Sequence, residues 1–372
     1  MYLSHGLSRA GYQVHALLAD DEFMDGWSTE LATTDAKVHR MQLTSLSKRP
    51  LRFVQAIYDR AQKKRLASFC QKLKPSGIFV NQQYDEDGLD FLQGAIAAAC
   101  APVMGMIHMP MTKNKNKRPL GRLRGFFLRR WYWSHRYRIL FSSVGAQREF
   151  NNYYNLSLNS MVIPSGVLFE QLNKSSRRIL RCLEETCFPK TAKDSSNRPP
   201  MIGVVCQFVH QKNLLLLIDA WKWAAANGCN TRLLLIGDGP QRVEIEARLA
   251  DCDECLWNIT GWTDNYAEYM SLLDLFVMPS LFESLPLALI EAVGLGIPAI
   301  ISDFNGASEL ADQASWVSVL ETVDLESLGS AIMDKINLSN SHISEIERQH
   351  FIKYFSSLRM AKDLIQNLEG NI

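Results

Sequence analysis

The chain has 372 residues, of which 47% are hydrophobic and 21% are charged, and its formal net charge at pH 7 is +1. This length exceeds what one ordinary hydrophobic core organises, so two domains are expected. The composition excludes a disordered chain, and the near-neutral charge excludes an overall electrostatic attraction to nucleic acid or to a membrane.

The distribution of the cysteines and the lack of long apolar runs indicate the cellular compartment in which the protein is expected. The eight cysteines are scattered, several of them within apolar runs, which is typical of reduced thiols rather than of a disulfide framework. Cys252 and Cys255 have the spacing of half a zinc knuckle, but no second pair lies at a useful distance, so no metal is expected. The sequence shows neither a secretory signal nor a membrane span. We therefore expect a cytoplasmic protein.

Short aliphatic runs alternate with longer amphipathic ones, which predicts an α/β fold with parallel sheets. The residues before the first strand resemble the end of a helix. Helices are also predicted at 50–74 and 88–100. The strands predicted in the first half lie in YQVHALLA, VHRMQLT, SGIFVNQ, APVMGMIH, RILFSS and SMVIPSG.

The second half repeats the same alternation after a change of composition. Residues 171–200 end in a polar, proline-rich run that predicts a linker. Helices are predicted at 213–226 and 240–250. The strands predicted after the linker lie in MIGVVCQF, TRLLLIGD, LWNITGW, DLFVMPS and IPAIISD.

Two doubly wound domains joined by a linker account for this pattern. The first is predicted over residues 1–195 and the second over 196–345. Residues 346–372 are predicted to be terminal helices that pack back toward the first domain. In such folds, ligands bind beyond the carboxyl ends of the strands, and two facing domains place the ligand between them.

Two glutamates, Glu283 and Glu291, lie in an almost wholly apolar stretch, residues 275–300. A buried, unpartnered carboxylate costs several kcal/mol, so protein partners or a ligand are expected. Glu283 follows a predicted strand, and Ser284 is predicted to cap the next helix, with Pro286 in its first turn. The free N–H groups of that turn offer an anion site, which suits a ligand with hydroxyl groups flanking phosphates. The alternative is that both glutamates lie on a solvated helix face.

The stretch PSLFESLPLALIEAVGLGIPAI resembles the signature of the retaining glycosyltransferases of family 4, group 1. These enzymes have the GT-B fold, two facing Rossmann-like domains with the active site in the cleft between them. The resemblance implies that Glu283 contacts the sugar of a nucleotide-diphosphate-sugar donor, that Glu291 holds its ribose, and that no metal or other cofactor is needed. It covers nearly the whole chain and includes GDGP at 237–240, ITGWTDNYAEYMSLLDLFVMPS at 259–280, SDFNGASEL at 302–310 and VIPSGV at 162–167.

The resemblance also assigns the donor diphosphate to the loop VVCQFVHQKN, where the family carries an arginine and a lysine. Lys212 matches the lysine, with a plain surface lysine as the alternative, whereas Gln207 stands at the arginine position. A charge-assisted contact contributes about 1.5–3 kcal/mol and a neutral one about 1, so this replacement is expected to weaken diphosphate binding roughly tenfold. Further nucleotide contacts are expected from Gly237, Ser284, Leu285 and Pro286.

Three further positions compare with the family in the first domain. His108 follows an apolar strand where family members carry a histidine near the donor sugar, and a packed histidine is the alternative. Ser143 also matches a family position, while Ser165 replaces a usual asparagine. The family opens with a strand and a glycine-rich loop that precede the helix with which this chain begins. We therefore expect the first domain to lack its opening strand, through truncation or a misassigned start.

Residues 113–138 carry ten lysines or arginines, six aromatic residues and no acidic residue. Leu120, Leu123, Phe127 and Trp131 fall at helical spacing, which predicts a basic amphipathic helix. Such a helix suits an anionic membrane surface, where the lipid-linked acceptors of this family lie. A solvated surface with a packed apolar side and a nucleic-acid site are the alternatives, and no nucleic-acid partner is expected.

These features together predict a retaining hexosyltransferase of surface polysaccharide biosynthesis, acting on a glycan or polyprenyl-linked acceptor, with Glu283, His108 and Lys212 as its catalytic residues. It is expected to be cytoplasmic, peripheral on the inner face of the membrane. A GT-B-fold nucleotide-sugar epimerase and a non-catalytic nucleotide-sugar-binding homologue remain alternatives. The DED run at 85–87 imitates a metal motif but is expected to be a loop acid cluster. No G-x-G-x-x-G follows a strand, which disfavours a nicotinamide enzyme.

Overall fold

The computed structural model describes residues 1–42, 59–110, 121–135, 137–156, 160–174, 198–337 and 343–369. The chain divides into two compact units. The first unit comprises Met1–Gly166 and Ser357–Ile372, and the second comprises Val167–Ser356. The boundaries predicted from the sequence lie after residues 195 and 345. Most of the predicted linker lies outside the described residues, which stop at 174 and resume at 198.

Parallel strands with intervening helices build the first unit. Its strands are β1 His15–Ala19, β2 Lys37–Met41, β3 Ile78–Gln82, β4 Val103–Ile107, β5 Arg138–Phe141 and β6 Ser160–Val162. Strands β1 and β2 pair with each other, and β3, β4, β5 and β6 pair in that order. Its helices are α1 Tyr2–Arg9, α2 Asp25–Ala32, α3 Arg60–Leu73, α4 Leu89–Ala98, α5 Gly121–Ser134, α6 Val144–Tyr154 and the C-terminal helix Ser357–Glu369.

Local side chains set where two of these helices begin. The Asp59 carboxylate accepts a hydrogen bond from the Gln62 N–H (2.9 Å) at the start of α3. The Ser143 hydroxyl accepts one from the Ala146 N–H (3.1 Å) at the start of α6. Such caps satisfy donors that the first helical turn leaves unpaired. Ser143, which matches a family position, thus has a structural role as a helix cap.

The four-stranded sheet is covered on both faces, as the alternation of its side chains requires. Phe141 packs on one face with residues of α4, α5 and α6, and its neighbour Leu140 packs on the other with Met360 of the C-terminal helix. Helix α1 joins this second face. A Cβ at Gly6 would lie 2.2 Å from the Ser357 carbonyl oxygen, so only glycine permits α1 to approach the C-terminal helix this closely.

The second unit is a single parallel sheet with helices between its strands. Its strands are β7 Met201–Val205, β8 Arg232–Ile236, β9 Trp257–Ile259, β10 Leu275–Met278, β11 Ala299–Ser302 and β12 Val317–Leu320. Its helices are α7 Leu214–Ala226, α8 Arg242–Leu249, α9 Tyr266–Met270, α10 Leu287–Gly294, α11 Ala307–Gln313, α12 Leu325–Asn337 and α13 Glu345–Tyr354. The strand order is β12-β11-β10-β7-β8-β9.

This order places β7 between β10 and β8, so the direction in which the chain winds reverses there. In parallel α/β sheets the crevice at such a point, beyond the carboxyl ends of the strands, is where ligands bind. The turn after β7 and the loop after β10 meet at this point of the second unit. They contain the predicted residues Lys212 and Glu283.

All eleven strands predicted from the sequence are confirmed, and most of them are short apolar runs bounded by turn residues. Strand β12 was not predicted. It is only four residues long, lies at the edge of the sheet and is only partly buried along most of its length. The predicted helix 50–74 is described from residue 60 onward. Across the described ranges, no helix is both long and apolar enough to cross a membrane.

Candidate functional site

A buried ion pair joins the turn after β7 to the loop after β10. Lys212 ends the short 3-10 turn His210–Lys212, and its ammonium forms a salt bridge with Glu283 Oε1. The two side chains are only 17% and 7% exposed. Lys212 therefore compensates the charge of Glu283, the carboxylate that the sequence places in an apolar run.

Gln211, which the sequence did not single out, fixes the orientation of the same carboxylate. Its side-chain amide donates to the Phe282 carbonyl (2.8 Å) and to Glu283 Oε1 (3.3 Å). Its backbone carbonyl accepts from the Leu281 N–H (2.8 Å). The turn after β7 and the loop after β10 are thus fastened by backbone and side chain together. No local sequence pattern marks Gln211, because its partners lie about seventy residues away.

The partly buried thiol of Cys206 lies beside this ion pair. Burial raises the pKa of Cys206 to about 12, while Lys212 acts to lower it and Glu283 to raise it. The thiol is therefore neutral at physiological pH, and a neutral thiol is a poor nucleophile. Next to it, the side chain of Gln207 is exposed. Gln207 thus stands on the same turn as Lys212, without a positive charge.

The helix after Glu283 begins later than the sequence predicted. Helix α10 starts at Leu287, and Pro286 occupies the capping position with extended backbone (φ −69°, ψ 124°). The prediction of Ser284 as the helix cap is wrong. The physical reason is that a proline disfavours helical backbone at the residue before it, here Leu285. Pro286 also has no N–H, so the unpaired donors of α10 come from its own first turn.

Glu291 is the fifth residue of α10 and is 2% exposed. Tyr266, the first residue of α9, donates a hydrogen bond from its hydroxyl to Glu291 Oε1 (3.2 Å). Both glutamates are therefore buried, so the interpretation of a solvated helix face is wrong for both. Tyr266 lies within the run quoted for the family resemblance, but its spacing from Glu291 offers no sequence signal.

Gly237 holds the loop after β8 against the turn after β7. Its φ of +137° is outside the range of ordinary L residues, and a Cβ there would lie 2.0 Å from the Cys206 carbonyl oxygen. A backbone hydrogen bond joins the same two segments, since the Phe208 N–H donates to the Asp238 carbonyl (2.8 Å). Gly237 thus has a packing role that is independent of any ligand.

Replacing Gly237 with alanine is therefore expected to destabilise the second unit more than a matched replacement of Gly228. Gly228 also has positive φ (+91°), but a Cβ at that position would meet nothing within 4 Å. Both variants carry the cost of strained backbone, about 1–3 kcal/mol, and only Gly237→Ala adds the overlap with Cys206, about 1–3 kcal/mol more. Chemical denaturation of both variants measures the difference. Equal destabilisation would show that the loop moves aside without cost.

His108 lies in the first unit, directly after β4. Its ring Nε2 is 2.6 Å from Asn81 Oδ1. Its backbone N–H donates to the Gln82 carbonyl (2.9 Å), and its backbone carbonyl accepts from the Ser142 hydroxyl (3.2 Å). Burial lowers the pKa of His108 to about 4. The imidazole is consequently neutral at physiological pH and acts as a hydrogen-bonding group rather than as a cation.

The DED run at 85–87 is part of the packing of the first unit. Asp85 is fully buried, and its carboxylate accepts a hydrogen bond from the Tyr154 hydroxyl. Its backbone carbonyl accepts one from the Tyr132 hydroxyl (2.6 Å). Tyr132 belongs to α5, so this loop and the basic helix are held together through Asp85.

The basic helix α5 does not have the apolar stripe that its spacing predicted. Trp131 is 4% exposed and packs in the core of the first unit, whereas Leu123 and Phe127 are exposed. Leu120, the fourth residue of the predicted stripe, lies outside the described residues. The prediction treated the helix as having one apolar face, but its apolar residues are divided between the core and the surface.

The two parallel-sheet units have the GT-B fold. HepE of Anabaena, solved in complex with UDP, resembles this chain with a TM-score of 0.73 over 99% of this chain and 95% of its own, at 15% sequence identity. Residues 199–337 match the model of the family "Glycosyl transferases group 1".

Two curated relatives resemble the chain in sequence. EpsF of Bacillus subtilis (strain 168) is 39% identical over 105 residues, which is 28% of this chain and 27% of EpsF. The UDP-Gal:alpha-D-GlcNAc-diphosphoundecaprenol alpha-1,3-galactosyltransferase of Escherichia coli is 29% identical over 128 residues, 33% of each protein. The matched segments thus span between a quarter and a third of these relatives.

Proposed function

We propose that the protein is a retaining glycosyltransferase that moves a hexosyl group from a nucleotide-diphosphate sugar to a glycan or polyprenyl-linked acceptor in surface polysaccharide biosynthesis. The observation that carries this proposal is the buried Lys212–Glu283 pair at the carboxyl ends of β7 and β10, oriented by Gln211. A carboxylate and an ammonium held together beside the start of α10 suit a ligand with sugar hydroxyls and phosphates.

Each group of the second unit has a proposed role in this reaction. Lys212 and the unpaired N–H groups at the start of α10 stabilise the diphosphate as its negative charge grows. Glu283 accepts hydrogen bonds from the donor sugar, and Glu291 accepts them from the ribose hydroxyls. The acceptor oxygen forms its bond to the anomeric carbon on the face from which the diphosphate leaves. The bond to the diphosphate breaks with its electron pair, and the acceptor proton passes to the departing phosphate oxygen.

His108 and Gln207 are the two remaining proposed contacts. His108 offers a neutral imidazole to hydroxyl groups on the reacting side, in keeping with its pKa of about 4. Gln207 replaces a charged contact to the diphosphate with a neutral one, so Lys212 is proposed to carry most of the positive charge. No metal is proposed, because an ammonium and helix N–H groups supply the stabilisation of the leaving group.

The class of acceptor is inferred from a relative of this chain and not from the geometry of the site. The name of the Escherichia coli galactosyltransferase specifies a diphosphoundecaprenol-linked acceptor. We propose a similar class of acceptor here, reached from the cytoplasmic side of a membrane. Contact with an anionic membrane surface is proposed through residues 113–138, which hold ten positive charges and no negative one.

Acceptor-dependent release of nucleoside diphosphate tests the proposed function. The purified chain is mixed with a panel of nucleotide sugars, with and without lipid-linked acceptors, and NMR reports the anomeric configuration of the product. Release that requires acceptor and gives the donor's configuration supports the proposal. Conversion of donor without acceptor indicates an epimerase, and donor binding without release indicates a non-catalytic homologue. An inverted product contradicts the retaining mechanism.

Tyr266→Phe is expected to weaken binding of a ribonucleoside diphosphate roughly fivefold to tenfold, because one hydrogen bond that orients Glu291 is lost. The same change is expected to have a smaller effect on a 2′-deoxyribonucleoside diphosphate, which engages the carboxylate less. Isothermal titration calorimetry measures both affinities. Tyr269→Phe, in the same short helix, is the matched control. Equal effects on both nucleotides would contradict a role of Tyr266 in ribose binding.

A further inference from the structure

Helix α5 is apolar on two opposite sides. Its inner side packs in the core of the first unit, where Leu128, Trp131 and Tyr132 are almost completely buried. Its other side exposes large apolar side chains to a degree uncommon on a soluble surface, namely Leu123 (51%), Phe126 (62%), Phe127 (44%) and Trp133 (73%).

Arginines accompany these apolar side chains on the exposed side. Arg129 and Arg130 are both exposed. At about 100° per residue, Trp133 lies about 20° and Arg130 about 40° around the helix from Phe126, and Arg129 lies about 60° away. We call Leu123, Phe126, Phe127, Arg129, Arg130 and Trp133 the outer face of α5. Helix α5 contains no acidic residue, so no negative charge along it opposes these arginines.

The inner side holds the helix in a fixed position on the first unit. The Tyr132 hydroxyl donates to the Asp85 carbonyl (2.6 Å), and the Tyr132 ring packs edge-on against Phe150 (4.9 Å between centroids). A Cβ at Gly125 would lie 2.9 Å from the Tyr153 hydroxyl, so α5 and α6 are in close contact. The outer face is therefore presented by an anchored helix, and rotating its apolar residues inward would require breaking these contacts.

We propose that the outer face of α5 binds an anionic lipid bilayer, with the helix in the plane of the surface. Phenylalanine, leucine and tryptophan side chains fit the boundary between headgroups and acyl chains, and arginines pair with the lipid phosphates. Two features favour lipid over nucleic acid. The apolar residues outnumber the arginines, and exposed leucine and phenylalanine gain little from a base-paired duplex, whose base faces are already stacked.

This inference rests on the membrane contact proposed above for residues 113–138 and assigns it to one face of α5, but it does not depend on the chemistry of the proposed reaction. If the acceptor is lipid-linked, membrane binding by the outer face also specifies where the reaction takes place. The anchored helix would bring the first unit to the membrane surface in a defined orientation. The outer face belongs to the first unit, whereas Lys212, Glu283 and Glu291 belong to the second. Donor affinity therefore reports on the proposed function, and vesicle binding reports on the outer face.

Co-sedimentation of the full chain with vesicles tests the proposal. The chain is expected to bind vesicles that contain phosphatidylglycerol and to bind pure phosphatidylcholine weakly, with binding reduced by salt. The double variant Phe126→Ser/Trp133→Ser is expected to lower the partition coefficient roughly tenfold or more. The double variant Arg129→Gln/Arg130→Gln is expected to remove much of the salt dependence. Ile346→Ser, at a position 84% exposed in the second unit, is the control and is expected to change nothing.

Thermal unfolding checks that each variant remains folded, which is expected because the replaced side chains are exposed. Failure to bind anionic vesicles would overturn the proposal, as would binding that both double variants leave unchanged. Tighter binding to a nucleic-acid homopolymer than to vesicles, lost in the same variants, would also overturn it and assign the face to nucleic acid. Nucleotide-sugar affinity of the variants is expected to match that of the native protein.

Discussion

Replacing Lys212 with alanine is expected to lower sugar transfer by roughly 10²–10³-fold and to destabilise the second unit by about 3 kcal/mol. The rate falls because Lys212 is the cation proposed to stabilise the departing diphosphate. The stability falls because Glu283 is left as a buried carboxylate without its ammonium partner, although Gln211 still donates to it. Steady-state kinetics with saturating acceptor and denaturant unfolding measure the two effects.

The double variant Lys212→Ala/Glu283→Ala separates these two effects. Removing both charges is expected to recover much of the lost stability, since no unpaired charge remains buried, while transfer stays as low as in the single variant or falls further. The matched control is Lys222→Ala, which breaks an ion pair with the largely exposed Asp251. This control is expected to change neither property appreciably. Full activity in the double variant would contradict the site assignment.

The Asp90→Asn variant is expected to be more stable than the native protein at neutral pH. Asp90, in α4, is 2% exposed, and burial raises its pKa to about 6. Its Oδ2 accepts a hydrogen bond from Gln62, while among the described residues its Oδ1 has no hydrogen-bond partner. Compared with the usual value near 3.8, this pKa corresponds to a cost of about 3 kcal/mol for the ionised side chain in the folded state.

The raised pKa of Asp90 makes the stability gained in Asp90→Asn depend on pH. Because the folded pKa is higher than the unfolded one, the favourable contribution of the protonated carboxyl is complete below pH 3.8 and is lost as pH rises through about 6. The stability difference between Asp90→Asn and the native protein is therefore expected to grow from near zero at low pH to about 3 kcal/mol above pH 7. Denaturant unfolding across this range measures it, with exposed Asp312→Asn as the control. A difference that does not change with pH would contradict the raised pKa.

The order of strands and helices followed from the sequence because it depends on local patterns. Runs such as RLLLI and LFVM are short, mostly apolar and bounded by turn residues, and their length favours a buried strand over a buried helix. The two glutamates could be singled out for the same reason, since a charge within an apolar run is visible without a structure. Strand β12, VSVL, was missed because it is only four residues long, and so short an apolar run is ambiguous between strand and helix.

The start of α10 and the faces of α5 show the limits of local patterns. Ser284 satisfies the composition of a helix cap, yet Pro286 delays the helix to Leu287. In α5, helical spacing joined Phe127 and Trp131 into one stripe, although one is exposed and the other is in the core. Spacing specifies which residues are neighbours on a helix, but the side that is buried depends on what packs against it.

By itself, the sequence determined the two α/β halves, the parallel sheets, the loops that carry Lys212 and Glu283 and the helix that carries Glu291, because these depend on residue order and hydrophobic periodicity. Only the tertiary structure decided which groups satisfy each carboxylate. Gln211 and Tyr266 reach Glu283 and Glu291 from elements far along the chain, and such contacts exist only after β7, β9 and β10 are assembled in one sheet. The burial that makes these charges costly in isolation is also what makes their partners necessary.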